Sequence, residues 1–433
     1  PCACKEITTL GLQGLSTQYT SPDANGEGLS VRRLTLTDFR CYNHQRMALD
    51  ARPVVLTGAN GAGKTNLLEG LSFLVPGRGL RRAKLAEIVR REQGEDIDAL
   101  QPPARPWGVA ATLATPDGEV EIGTGFKKGP DGKRDKRIVK VDGEVVKSQA
   151  VLADYVSVLW LTPQMDRLFV EGPGPRRRFL DRLVFGSDSA HAGRVKAYDH
   201  ALRERMRLLR DGSKDEDWLA SLEDTMATRG VAVAAARLDV TRRLGLHLAA
   251  DTGVFPAAAL EVDGPVESWL GDGPALAAED QFRVALAKSR GSDAAEGRTS
   301  IGPHKSELKV RHLGNGQAAA LCSTGEQKAL LIALVLGSAR MRSQEQGTAP
   351  MLLLDEIAGG LTEHECHALV DTIRAIHAGG TTIIWIEHIV HALLSVASRL
   401  VVMNFGKKIA EGDPEAVMND AEVREVYMGI PAS

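Results

Sequence analysis

The run Gly58-Ala59-Asn60-Gly61-Ala62-Gly63-Lys64-Thr65 carries the spacing GxxxxGK[ST]. Glycines at those positions let consecutive backbone N–H groups turn toward one point, and a lysine and a hydroxyl follow at once. Between a buried strand and a helix N-terminus, such a loop cradles the phosphates of a nucleoside triphosphate. Lys64 is expected at the β- and γ-phosphates and the Thr65 hydroxyl on Mg2+, with Gly58 to Asn66 as the contacting set. A second set supplies acids. Leu352-Leu353-Leu354-Asp355-Glu356 is an apolar run ending on two carboxylates. A strand of that kind delivers both acids to the C-terminal edge of a sheet, where ligands bind in open α/β folds. Asp355 is expected to support Mg2+ through water, and Glu356 to polarise an attacking water. An acid pair at a strand end is common by itself; beside a phosphate cradle the functional reading is the stronger one.

Positioning these groups requires strands and helices in a set order. Val54-Val55-Leu56-Thr57 reads as a short buried strand running into the glycine loop. Leu67, Leu71 and Leu74 recur at i, i+4 and i+7 and mark one face of a helix. Val31 to Leu36 alternates apolar and polar residues, as a strand does. Segments 109–126 and 137–146 alternate too, broken by Pro116-Asp117-Gly118, Asp131-Gly132 and Asp142-Gly143, which predicts antiparallel hairpins. From about Pro175 to Leu248 the pattern is helical. A Gly/Pro/Asp-rich connection covers 251–274, and a helix covers Glu279 to Lys288. Helix returns from Ala319, followed by a strand at Met351–Leu354, a helix over 363–378 and a strand from Thr381 to Ile386. That alternation rebuilds an α/β sheet. The organisation expected is a disordered extension over 1–29, a head split into 30–165 and 301–433, and a helical insertion over 166–300. No internal repeat is visible.

Composition sets outer limits. Hydrophobic residues are 43% and charged residues 25% of the 433, an ordinary globular balance. The net charge of -3 does not advertise nucleic-acid binding, although an average hides local faces. No apolar run approaches a membrane span. Cys2, Cys4, Cys41, Cys322 and Cys366 fit neither a CxxC pair nor a disulfide framework, which favours a reducing cytoplasm. The first residue, Pro1, points to a processed or artificial start. His364-Glu365-Cys366-His367 lacks HExxH spacing and falls on a predicted exposed helix, so no metal beyond Mg2+ is expected.

Ser323-Thr324-Gly325-Glu326-Gln327-Lys328 precedes a strongly apolar helix and resembles the signature motif of ABC-type ATPases, with Thr324 and Glu326 as variations. A hydroxyl and amides at a helix N-terminus suit a γ-phosphate. The resemblance implies that Ser323, Gly325 and Gln327 grip ATP in trans, across two chains. It also implies a Mg2+- and water-monitoring role for Gln164, after Val158-Leu159-Trp160-Leu161, and a γ-phosphate switch role for His388, after Ile383 to Glu387. The fold class is then α/β: an ABC-type ATPase head with an antiparallel β subdomain and an inserted helical lobe.

The distance from glycine loop to signature exceeds that of a transporter ATPase and is too short for SMC coiled-coil arms. An insertion of this size resembles the RecF family of DNA replication and repair ATPases. The residues carrying that resemblance are Leu36 to Tyr42, with Cys41 where the family has Asn, and Gly58 to Leu68. Leu161 to Gln164, Gly172-Pro173, Arg176 to Asp181 and Ile301 to Leu308 complete them. The match runs over about 31–356. From Ile357 to Ser433 the chain instead resembles the end of branched-chain amino-acid transporter ATPase subunits, as if two ABC ATPases were joined near the acid pair.

The RecF resemblance implies ATP-dependent homodimers that bind DNA at single-strand gaps, and cooperation with RecR and RecO in loading recombinase during recombinational repair and the SOS response. It also implies slow ATP turnover that serves switching. Local charge supports DNA contact independently: Lys127, Lys128, Lys133, Arg134, Lys136 and Arg137, then Arg176, Arg177 and Arg178, with Arg203, Arg205, Arg207 and Arg210 beyond. A solvated hairpin and an ordinary charged helix would show the same residues. The alternative function, the ATP-binding subunit of a branched-chain amino-acid transporter, rests on the C-terminal segment alone.

Overall fold

The computed structural model describes residues 29–91, 105–127, 136–213, 215–250, 253–346, 349–387, 397, 399–404 and 406–428. Of the extension expected over 1–29, only Leu29 is among them. It is buried, and its carbonyl accepts a hydrogen bond from the Thr382 hydroxyl.

Strands β1 (Ser30–Phe39) and β2 (Tyr42–Ala48) pair antiparallel through a tight link that holds Asp38 and Arg40 at φ 45° and 54°. β3 (Val54–Thr57) is buried at every residue, as a mostly apolar strand in the middle of a sheet must be, and it feeds the glycine loop and α1 (Lys64–Ser72). Next come β4 (Gly108–Thr115), β5 (Gly118–Lys127), β6 (Lys136–Val141) and β7 (Glu144–Val145). With the first hairpin they form a six-stranded antiparallel sheet in the order β2-β1-β4-β5-β6-β7. Asp142 and Gly143 both take positive φ, as a tight hairpin turn requires. The turn expected at Asp131-Gly132 lies outside the described residues.

After β8 (Val158–Leu161) the chain leaves for helices α2 (Pro173–Phe185), α3 (His191–Arg210) and α4 (Glu216–Ala250). The stretch read as a plain connection over 251–274 holds a strand, β9 (Ala258–Asp263), and a helix, α5 (Pro265–Asp272). After α6 (Ala275–Glu296), β10 (Glu307–His312) pairs antiparallel with β9. The alternation in Ala258–Asp263 is short, and its partner lies far along the chain, so the local Gly/Pro signal dominates the sequence. The helix expected from Ala319 begins later: a single 3-10 turn at Ala319–Leu321 precedes α7 (Thr324–Gln346).

β11 (Met351–Asp355), α8 (Glu363–Ala378) and β12 (Ile383–Ile386) bring the chain back to the head. β13 (Arg399–Asn404), β14 (Lys407–Gly412), α9 (Pro414–Met418) and α10 (Ala421–Met428) follow. The core sheet has six strands in the order β14-β13-β3-β12-β11-β8, all parallel except β14. Alternate residues feed its two faces. Leu56, Leu353, Ile384 and Ile386 pack with Leu67, Leu68 and Leu71 of α1 and with the antiparallel sheet. Leu352, Leu354, Ile383 and Trp385 pack with α7, α8 and the end of α4.

The helical lobe has its own small core around Tyr198, Met226, Phe282 and Leu286. Beside it lies Arg205, fully buried, which donates to Glu223 (2.9 Å), Asp293 (2.8 Å) and the Leu286 carbonyl (2.8 Å). Removing one member of such a cluster strands the others without solvent. Arg205→Ala should lower the unfolding free energy by about 3–5 kcal/mol in urea titrations. A loss below about 1 kcal/mol would show that the lobe does not depend on this cluster.

Candidate nucleotide-binding site

The glycine loop takes conformations that its sequence demands. Gly58, Gly61 and Gly63 have φ of 136°, 84° and 101°. A Cβ on Gly58 would stand 2.0 Å from the Met403 carbonyl oxygen of β13, and one on Gly63 would meet Cys41 Sγ at 2.8 Å. The Tyr42 hydroxyl donates to the Gly63 carbonyl (2.9 Å), and the Gly406 N–H donates to the Ala62 carbonyl (2.9 Å). The loop is thus gripped by β2 on one side and by the end of β13 on the other. Neither grip is legible in the loop sequence.

Lys64 is buried and folds back to donate to the carbonyls of Gly58 (2.6 Å) and Ala59 (3.1 Å). Burial pulls its pKa below the usual ammonium value, while Glu356 and Asp355 push it the other way. Such an ammonium gains by meeting phosphate oxygens. Thr65 Oγ1 lies 3.5 Å from Asp355 Oδ1, so the two predicted Mg2+ oxygens converge although 290 residues separate them. Burial and the charge of Glu356 push the Asp355 carboxyl up to about 6, a load that a divalent cation would relieve. A hydroxyl and a carboxylate are the hard oxygen donors that Mg2+ prefers, so these residues fit the ion. Mg2+ held there would supply charge neutralisation at the β- and γ-phosphates.

Glu356 follows Asp355 in a left-handed turn (φ 50°), with its N–H donated to the Ile386 carbonyl (2.8 Å). The turn ends β11 abruptly and sets the second acid off the sheet edge. Gln164 sits in the 3-10 turn Pro163–Arg167 directly after β8. Leu161 pairs with Leu354, so Gln164 stands at the same end of the sheet as the acids. His388 lies outside the described residues. Its neighbour Glu387 is buried and accepts the Ala358 N–H (2.9 Å), tying the chain after the acid pair to the end of β12.

Behind the loop, Glu69 of α1 is fully buried and carries two arginines. Arg40 donates to it at 2.8 and 2.7 Å and Arg81 at 3.1 Å; Arg81 also donates to Asn66 Oδ1 (2.6 Å). Asn66 Nδ2 reaches Cys41 Sγ (3.2 Å), so the cysteine standing where the family has Asn still contacts α1. Sequence reading missed this cluster: Glu69 lies off the helix face that Leu67, Leu71 and Leu74 mark, where a carboxylate reads as solvated.

Ser323 caps α7. Its hydroxyl accepts from the Glu326 N–H (3.3 Å), and Glu326 accepts the Ser323 N–H (2.8 Å), a reciprocal box that holds the Glu326 carboxyl below its usual pKa. Gly325 lies within the first turn with open space where a Cβ would stand, and Gln327 is buried, donating to the Cys322 carbonyl (2.9 Å). The departure at Glu326 therefore serves the helix start.

The basic residues proposed for DNA divide. Lys136, Arg177 and Arg178 differ in exposure: Lys136 and Arg178 are exposed, and Arg177 donates to the Ser306 carbonyl (2.8 Å). Arg137 lies inside the head, donating to Thr124 (2.7 Å) and to the Phe73 and Gly77 carbonyls, and burial pulls its guanidinium to about 10. Arg176 is held by Glu307 (2.6 and 3.0 Å) and by backbone carbonyls. Lys128, Lys133, Arg134 and the Lys127 side chain lie outside the described residues. Of the further cluster, Arg205 is the buried arginine of the lobe.

Motifs that read as family marks prove architectural. Arg237 clasps Asp181 with two hydrogen bonds (2.8 and 2.9 Å) and donates to the Pro303 carbonyl (2.6 Å), while His191 Nε2 meets the same Asp181 at 2.9 Å. Burial holds His304 neutral, its pKa at about 4, between the Tyr198 hydroxyl (2.6 Å) and the Thr299 carbonyl (3.0 Å). The Arg176–Asp181 and Gly302–His304 stretches thus meet where the helical lobe joins the head.

The family model described as the RecF/RecN/SMC N-terminal domain matches residues 30–409. The "DNA replication and repair protein RecF" of Mesorhizobium japonicum is 47% identical over 351 residues, covering 80% of this chain and 89% of that one. Its namesake in Rhizobium etli is 45% identical over 353 residues, covering 80% and 90%. The chain belongs to the RecF family. The solved structure of "the recombination mediator protein RecF-ATPrS in RecFOR pathway" superposes with a TM-score of 0.74 at 21% identity, covering 89% of this chain and all of that one. An Smc head domain from Pyrococcus furiosus with an extended coiled coil reaches 0.51 at 15% identity, covering 90% and 98%. These two likenesses bear on the fold, an ABC-type ATPase head. A second family model, the branched-chain amino acid ATP-binding cassette transporter, matches residues 407–432, inside the stretch from Ile357 that resembles transporter ATPase subunits.

Gly58→Ala would drive a side chain into the Met403 carbonyl at a φ that side chains rarely adopt. The variant should stay folded by circular dichroism and lose ATP binding at least about tenfold, as about 1.4 kcal/mol of loop strain requires. Unchanged ATP affinity would show that the contact with β13 does not shape the loop.

Proposed function

We propose that this chain is an ATP-driven switch of DNA replication and repair whose nucleotide sites form between two copies. The observation carrying this reading is that α1 and α7 pack on opposite faces of the core sheet, about 10 Å apart or more. The phosphate cradle of one copy and the Ser323 cap of the same copy thus start from different faces, and a nucleotide gripped by both needs a second chain. Lys64 and the loop amides bind and orient the β- and γ-phosphates. Thr65 would coordinate Mg2+ and Asp355 would support it through water, Glu356 positions the attacking water, Gln164 monitors the ion and that water, and His388 contacts the γ-phosphate. Ser323, Gly325 and Gln327 of the second copy close over the γ-phosphate.

The relatives' name and the helical lobe support a role on DNA: binding at single-strand gaps in the ATP dimer, and loading of recombinase with RecR and RecO in the cytoplasm. Lys136 and Arg178 are the described exposed cations of the proposed set, and phosphate contact through such residues is sequence-independent. Among the described residues no helix is long and apolar enough to cross a membrane. The transporter reading has less support: β14, α9 and α10 pack back onto Val55, Leu400 and Val402 of the core sheet and, among the described residues, add no separate coupling lobe.

Glu356→Gln should retain ATP and accumulate the dimer, read as a doubled mass in light scattering under saturating ATP; a monomer would refute the composite site. DNA affinity should rise with ATP and fall at least about tenfold between 50 and 200 mM salt. Absence of DNA binding at low salt would remove the repair reading and leave ATP binding untouched.

A further inference from the structure

A cavity of about 390 Å³ opens between the β8 edge of the core sheet, the loop after α1 and the first helix of the lobe. That is the size of a small-molecule site. Val75, Leu80, Val158, Met165, Leu168 and Phe185 supply apolar walls. Lys64, Thr65 and Asp355 do not line it, although Gln164 does, so it opens beside the phosphate cradle and not in it.

Its cations are unusual. Arg178 and Arg82 stand exposed on its lining, and each lies close enough to the other, with Arg78, to depress the Arg82 pKa beyond the effect of burial. Arg82 is held at φ 57°, a strained conformation for an arginine. Deeper, the Arg182 guanidinium stacks over Trp160 (4.4 Å) and Phe179 (5.4 Å), and burial pulls its pKa to about 9. Its Nε is sealed from solvent without a hydrogen-bond partner, and its sole hydrogen bond among the described residues goes to Met165 Sδ (3.4 Å). Arg342 of α7 stands directly behind the wall: its Nη2 lies 0.5 Å from where a Cβ on Gly186 would be. Arg342 is buried, with Nη1 and Nη2 unpartnered, and burial alone pulls it down to about 10. Among the described residues the other buried arginines, Arg205, Arg237 and Arg399, have carboxylates. Around this cavity the carboxylates are missing: among its lining residues only Glu171, exposed, is acidic.

Leaving buried charge uncompensated costs several kcal/mol unless an anion arrives. We propose that this cavity is a second anion site that takes a nucleotide unit: a phosphate on Arg82, Arg178 and Arg182, and a ring or sugar against the apolar walls. The phosphate answers the guanidinium forks, and the aromatic floor and apolar walls suit a base better than inorganic phosphate. The unit is either a free nucleoside monophosphate or the 5′-phosphorylated end of a nucleic-acid strand, which present the same chemistry.

The test uses the full chain in the Lys64→Ala background, which takes the phosphate cradle out of play, and titrates dAMP by calorimetry. Saturable binding is expected, weakened at least tenfold by Arg82→Gln/Arg178→Gln, with Arg182→Gln as the deeper variant. The rim pair is exposed, so folding, checked by circular dichroism, does not decide the outcome. Competition by a 5′-phosphorylated oligonucleotide, and not by its 5′-hydroxyl twin, would assign the site to a strand end; competition by neither would assign it to the free nucleotide. No saturable dAMP binding at millimolar concentration, or binding indifferent to the rim variant, would overturn the proposal. ATP-driven dimerisation of the rim variant in an otherwise native chain reports separately on the switch.

Discussion

Everything at the nucleotide site depends on the position of β3 in the middle of the core sheet. A strand so short and so apolar is stable only with a partner on each side, and both partners come from the far end of the chain. β12 pairs with it on one side and β13 on the other. The glycine loop inherits this arrangement: the Met403 carbonyl fills the space that glycine at position 58 leaves open, and Gly406 caps the Ala62 carbonyl. The stretch resembling a transporter ATPase begins within this structure. The RecF-type match runs to residue 409 and the transporter-type match starts at 407, both inside β14. In this chain β3 is paired on both sides before that point, so the sheet is closed and the loop supported.

Charge inside the molecule follows two regimes. Glu69, Asp181, Glu223 and Asp293 are buried and meet arginines, so each desolvation cost is offset by a partner. These clusters join elements distant in sequence: α1 to the link after β1, α2 to α4, and α3 to α6. Arg182 and Arg342 break the pattern, and they do so on either side of one cavity wall. The contrast carries the argument for a second anion site, because the same fold shows what a compensated arginine looks like.

Much of the head was legible because its signals are local. The four residues of β3 and the sixteen of α8 are bounded in the structure as the pattern predicts, the latter by a Thr362–Glu365 capping box. The phosphate loop and the acid pair announce themselves by spacing. What escaped was relational. β9 reads as loop because its partner lies beyond two helices. Arg137, Arg176 and Arg205 were counted as cations facing a ligand, yet each is spent on internal acceptors; a count of basic residues does not see a carbonyl or carboxylate folded against them. The Ser323 motif was recognised, but the role of Glu326 as the closing half of a cap emerges only once the helix start is seen.

The placement of β3 also bears on how the chain is made. A ribosome delivers its residues from the N-terminus, so the phosphate loop emerges long before the strands that flank it. Until Ile386 has been synthesised β3 has two open edges, and one stays open until Val402; the pairings that close them span more than three hundred residues. Contacts of that sequence separation form slowly and leave apolar strand edges exposed meanwhile. The helical lobe, whose contacts are more local, can consolidate first. Nucleotide, which needs the loop that Met403 and Gly406 complete, would favour only chains synthesised past that point.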